Sequence, residues 1–126
     1  TIDILHNNFF FYGDYALCGT RGWFFEEDQK AQDAKVLSRE VGRLETSLQA
    51  AGDWKKLCFL HYPPLYQGYR CPEILKKLEE YGVEACYYGH LHGGSHRLAI
   101  QGRQQETDFF LVAADYLGFV PKKICE

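Results

Sequence analysis

Between residues 57 and 92 the chain runs Leu57-Cys58-Phe59-Leu60-His61-Tyr62-Pro63-Pro64, then Pro72-Glu73-Ile74-Leu75-Lys76-Lys77-Leu78, then Glu84-Ala85-Cys86-Tyr87-Tyr88-Gly89-His90-Leu91-His92. The first run is short, continuous and apolar, as a strand buried on both faces is. The prolines behind His61 forbid further ladder bonding and turn the chain out. Pro72 suits the first turn of a helix, Ile74, Leu75, Leu78 and Tyr81 share one helical stripe, and Gly82 ends it. Glu84–Tyr88 resumes as a strand. Strand, short helix and strand within about thirty residues make a βαβ unit, with parallel strands and a right-handed connection.

Parallel neighbours bring their carboxyl ends to one edge of a sheet, the edge at which open α/β sheets bind ligands. His61 follows one carboxyl end and the pair His90/His92 follows the other, so the three are expected to meet there. Glycines at 89, 93 and 94 let the backbone turn sharply, so that two residues facing opposite ways along a strand converge. Neutral imidazole is a good ligand for zinc, iron and manganese. Three imidazoles can hold a metal with an open position for water. The competing reading of His61 is a strand-end histidine bonded to a backbone carbonyl. His6 and His96 lack comparable support; His96 is either an outer contact or a surface residue.

Upstream, Asn8–Tyr12 and Tyr15–Gly19 are strand-like runs separated by Gly13-Asp14, which predicts a β-hairpin. Gly19-Thr20-Arg21-Gly22-Trp23 reads as a glycine-rich turn, with Arg21 either solvated or facing a substrate. From Asp28 to Ala51, apolar residues at 31, 34, 37, 41, 44, 48 and 51 predict an amphipathic helix stopped by Gly52. Its charges, Glu40 and Arg43 among them, are expected on a solvated face. Downstream, His96–Ile100 and Phe109–Ala113 are expected to be an antiparallel strand pair around a polar loop at Gly102.

The 126 residues accommodate a single domain, 1–126, large enough for a real core. Aromatics at 16% are plentiful, which suggests either a tightly packed sheet or aromatics lining a cleft. A net charge of −3 with dispersed lysine pairs offers no field for a polyanion, so nucleic acid is not an expected partner. No apolar run is as long as a membrane span and no signal peptide is visible. The five cysteines are odd in number and lack a Cys-x-x-Cys, so they read as reduced thiols of a cytoplasmic protein. The chain begins at Thr1, without an initiator Met and directly ahead of strand-like sequence, as an excised piece does.

His61-Tyr62-Pro63-Pro64 followed by Gly89-His90-Leu91-His92 resembles the calcineurin-like metallophosphoesterases, whose second half carries a lone histidine after a strand and later Gly-His-x-His. The hairpin, Gly19–Trp23 and the long helix resemble bacterial members of that superfamily. The resemblance implies an α/β fold, part of a four-layer αββα sandwich with a mixed sheet. It implies a dinuclear centre of two divalent ions (manganese, iron, zinc or similar), with His61 and His90 on one ion and His92 on the other. The implied reaction is hydrolysis of a phosphomonoester or phosphodiester, of a small molecule or a protein. Arg21, Tyr62 and Tyr66 are candidates to face the phosphate or its leaving group. The family's Asp-x-His, Gly-Asp-x-x-Asp and Gly-Asn-His-Asp/Glu motifs are absent. The chain is therefore expected to be the carboxyl-terminal portion of the domain, with the general-acid histidine and the carboxylate ligands upstream of Thr1, and to be inactive alone. Two other readings stand beside this one: a catalytically inactive scaffold of the same fold that binds protein, and a mononuclear zinc hydrolase.

Overall fold

The computed structural model describes residues 2–23 and 31–125. A hairpin opens the chain: β1 (Phe10–Tyr12) and β2 (Tyr15–Thr20) pair antiparallel, with Tyr12 opposite Tyr15. Gly13 takes the positive φ of 57° that a primed hairpin turn needs at its first position. The predicted long helix is α1 (Ala31–Ala50); the part of it expected over residues 28–30 lies outside the described residues. Gly52 follows at φ 55°, and the buried Lys56 donates from Nζ to the carbonyls of Gly52 and Trp54, satisfying backbone acceptors behind the helix end.

The βαβ unit is present as read. β3 (Lys55–Leu60) and β6 (Ala85–Tyr88) are adjacent and parallel, Cys58 opposite Cys86, and α2 (Pro72–Glu80) connects them. Pro72 occupies the first turn of α2. Val83 N–H bonds the Leu78 carbonyl and Gly82 N–H that of Glu79, a Schellman ending in which Gly82 adopts φ 62° and Val83 and Leu78 are both buried.

Three differences from the sequence expectation concern the connections. Between β3 and α2 lies a second, two-stranded sheet, β4 (Leu65–Tyr66) with β5 (Tyr69–Arg70), turned at Gly68, where a plain loop was expected. Residues 96–98, expected in a strand, belong to a 3-10 helix over Gly93–Leu98. The paired strands instead flank the turn at Gln105: β7 (Gly102–Gln104) is antiparallel to β8 (Thr107–Leu111). The apolar residues of 96–100 are drawn to the small sheet, where Leu98 accepts from Gln67 N–H and Ala99 bridges Tyr66.

The resulting six-stranded sheet has the order β1-β2-β3-β6-β8-β7 and is mixed. Its four central strands, β2, β3, β6 and β8, are mutually parallel, because α1 also serves as a crossover, from β2 to β3. Side chains alternate between the faces. Ala16, Cys18, Cys58, Leu60, Cys86, Tyr88, Phe109 and Leu111 form one core with Leu44 and Leu48 of α1 and Ile74 and Leu78 of α2. On the other face Phe59, Tyr87 and Phe110 stack in a row, ring centres 5.2 Å apart at each step, and Leu17, Val112 and the tail residue Ile124 join them.

The helical stripe explains one further difference. Glu40 lies on the buried face of α1, between Leu37 and Leu44, and is 1% exposed. It is therefore part of the packed interior rather than of a solvated face. No helix among the described residues is long and apolar enough to cross a membrane.

Candidate functional site

Four parallel strands end at one edge of the sheet, and each delivers a polar residue there: Arg21 after β2, His61 after β3, His90 and His92 after β6, and Asp115 beyond β8. Backbone hydrogen bonds continue the ladder past the strand ends. Arg21 carbonyl accepts the N–H groups of both His61 and Tyr62, and His61 carbonyl accepts that of Gly89. Gly22, at φ 77°, lets the first loop lie against the His61 turn, since a Cβ there would stand 3.2 Å from the Tyr62 carbonyl oxygen.

His61, Tyr62 and His90 form a cluster of rings: His61 to His90 5.3 Å between centres, His61 to Tyr62 4.6 Å and Tyr62 to His90 4.8 Å, all edge to face. The expected meeting of the βαβ histidines thus holds for His61 and His90. His90 adopts φ 68°. This left-handed conformation costs a non-glycine residue about 1 kcal/mol or more, and it brings the imidazole to the edge. Burial, reinforced by the neighbouring His61 and His92, lowers the His90 pKa below the ordinary imidazole value, which favours the neutral, ligating form.

His92 turns aside to a partner that its sequence neighbourhood does not reveal. Its Nδ1 lies 2.8 Å from Asp115 Oδ1, while Asp115 Oδ2 accepts the Gly93 N–H at 2.8 Å. His92 and then Gly93 hold the Asp115 carboxyl well below the usual carboxylate range. His96 Nε2 approaches the same Oδ1 at 3.1 Å without hydrogen-bond alignment, and its ring packs edge-on to Tyr116. His96 is therefore an outer contact of the edge. His6 is exposed, in the segment ahead of the hairpin.

Arg21 is 53% exposed. Its Nη2 is 3.4 Å from Oε1 of Glu40, which accepts from Arg43 at 2.7 Å, while Oε2 accepts from the Thr20 hydroxyl at 3.0 Å. One buried carboxylate thus faces two guanidinium groups, of which Arg21 adjoins the His61 turn. Tyr66 stacks on Tyr69 in the small sheet, ring centres 4.9 Å apart.

With bonds of about 2.1 Å, two imidazoles on one tetrahedral ion place their ring centres about 5.2 Å apart. The His61–His90 spacing of 5.3 Å matches that value. A complete ligand set is a different matter: among the described residues, no group of three or more His, Cys, Asp and Glu side chains is arranged to hold a metal ion. The spacing alone is compatible with two imidazoles on one ion, and it is also that of an ordinary edge-to-face ring pair; a whole dinuclear set is not assembled among the described residues.

Two contributors escaped the sequence reading. Asp115 lies in a tail without a motif; its signal was an acidic residue just past an apolar run, and it needed β8 to be recognised as a parallel neighbour of β6. Glu40 stands three residues from Leu37 and four from Leu44, a spacing it shares with other charges of α1, so its burial had no signal of its own. No protein-family model matches the chain, and no curated protein or solved structure is significantly similar to it.

Proposed function

We propose that this chain carries the histidine side of a metal-dependent phosphoesterase centre that hydrolyses a phosphomonoester or phosphodiester of a small molecule or a protein. The observation that carries this reading is the pairing of His61 with His90 at the carboxyl edge of the parallel strands, at the spacing of two imidazoles on one ion. His92 joins them through Nε2. When bound, divalent ions such as manganese, iron or zinc supply an activated water and offset phosphoryl charge. Arg21, exposed and flanking the His61 turn, favours an anionic substrate, and Tyr62 borders the same ring cluster.

The finer fold belongs to the same proposal. The half-buried row Leu17, Phe59, Phe110 and Val112 lies on the sheet face opposite the helices, as expected of one half of a four-layer αββα sandwich. The second sheet, the remaining ligands and the general acid would come from upstream sequence. The five free cysteines support a cytoplasmic location.

Calorimetric titration of the chain with Mn²⁺ tests the reading. Binding is expected to be weak, and His61→Ala or His90→Ala is expected to lower it at least tenfold. Absence of binding, or binding unchanged in both variants, refutes it. A non-catalytic scaffold is the second reading, favoured by the absence of a three-member ligand group among the described residues. When the chain is joined to its upstream sequence, hydrolysis of an aryl phosphate that is lost in His61→Ala and His92→Ala decides for the enzyme.

A further inference from the structure

Asp115 makes more contacts than an edge carboxylate needs for solubility. Oδ1 receives His92 Nδ1 at 2.8 Å and the Tyr116 N–H at 3.0 Å, with His96 Nε2 3.1 Å away, and Oδ2 receives the Gly93 N–H at 2.8 Å. A carboxylate only accepts, so the His92 nitrogen facing it must carry hydrogen. That leaves the lone pair of the neutral ring on Nε2, whereas a solvated histidine favours the opposite tautomer. Although His92 is 60% exposed, the ring is thus held by one specific bond.

We propose that Asp115 is the positioning residue of this site, fixing His92 as the Nδ1–H tautomer and presenting the Nε2 lone pair at the sheet edge. The two oxygens have distinct tasks. The backbone donor of Gly93 anchors Oδ2 to the turn that follows the histidine, so the carboxylate moves with the loop whose side chain it orients. Carboxylate partners of this kind set both the direction and the basicity of an imidazole ligand. No neutral isostere fulfils both tasks. An asparagine in either orientation aims its NH₂ at a backbone donor, Gly93 N–H in one case and Tyr116 N–H in the other.

The use of the lone pair for a metal rests on the phosphoesterase reading; the tautomer does not. The experiment is long-range ¹H–¹⁵N correlation of the histidine rings in the metal-free chain, at a pH where they are neutral, with His92 assigned through His92→Gln. The expected result is a protonated Nδ1 and an unprotonated Nε2 for His92, reverting to mainly Nε2–H in Asp115→Ala. His92 found mainly as Nε2–H in the unmodified chain overturns the proposal, whether or not the variant folds. An unchanged tautomer in a folded Asp115→Ala overturns it as well. Zn²⁺ is then added to the unmodified chain. A shift of the His92 Nε2 resonance that weakens at least tenfold in Asp115→Ala supports both readings. No shift, with the Nδ1–H tautomer in place, removes the metal reading and leaves the role of Asp115 standing.

Discussion

Replacing Glu40 by glutamine preserves the side chain's shape and removes its charge, which separates the two arginines that face it. Oε1 accepts from Arg43 Nη1 at 2.7 Å and stands 3.4 Å from Arg21 Nη2. Glu40 is 1% exposed, Arg43 36% and Arg21 53%. Arg43 keeps its charge, so the short bond changes from an ion-paired one to one between a cation and a neutral amide oxygen, a loss of about 1–2 kcal/mol at this buried carboxylate. The longer, solvent-screened Arg21 contact contributes about 0.5 kcal/mol or less. The Thr20 hydroxyl, now a donor at 3.0 Å, rotates to accept from the amide, so its share is small. Urea unfolding of the single variants Glu40→Gln, Arg43→Met and Arg21→Met and of the two doubles measures the couplings. They are expected to be about 1–2 kcal/mol for Glu40–Arg43 and below about 0.5 kcal/mol for Glu40–Arg21. A Glu40–Arg21 coupling as large as that of Arg43 refutes the reasoning. Arg21 would then be a structural ion-pair partner instead of an edge cation available to an anion.

Gly19→Ala introduces a Cβ 2.1 Å from the backbone oxygen of Phe59, an atom that moves only if β2 and β3 separate. A loss of about 3 kcal/mol is expected, read as a melting temperature lower by about 10 °C; an unchanged melting temperature contradicts the close approach. At His90, glycine relieves the left-handed backbone that alanine retains, so His90→Gly should be about 1 kcal/mol more stable than His90→Ala in urea unfolding. Equal stabilities would mean that φ is not positive in solution. Tyr81 and then Lys77 lower the pKa of Glu45, which bridges α1 to α2. A depressed carboxyl pKa contributes stability that is fully present above the unfolded value of about 4.3 and is lost as pH falls from there through the lowered folded value. Unfolding free energies at successive pH values should therefore decline less steeply on acidification in Tyr81→Phe than in the unmodified chain.

What was legible in the sequence was local or set by period. The two-residue Gly13-Asp14 link specified the hairpin, the three-and-four spacing specified α1, and the order strand, Pro72-led helix, strand specified the parallel pair β3 and β6. From that pair alone, His61 and His90 could be placed side by side, because parallel strands share a carboxyl edge. Gly102–Gln104 and Thr107–Leu111 were harder. A short edge strand such as Gly-Arg-Gln has almost no apolar signal, and the more apolar stretch before it, 96–100, carries the stronger strand pattern. Only the tertiary structure decided that β8 lies parallel beside β6, and so that Asp115, distant in sequence from His92, provides its hydrogen-bond partner. It also decided that Glu40 is inside. Periodicity places a residue on a helix face, but whether a charge there is buried depends on which strands the face meets and which cations come with them. The sequence by itself thus determined which histidines share an edge. The packing of strands remote in sequence decided which carboxylates hold that edge in order, because a partner some twenty residues away leaves no periodic trace in the chain.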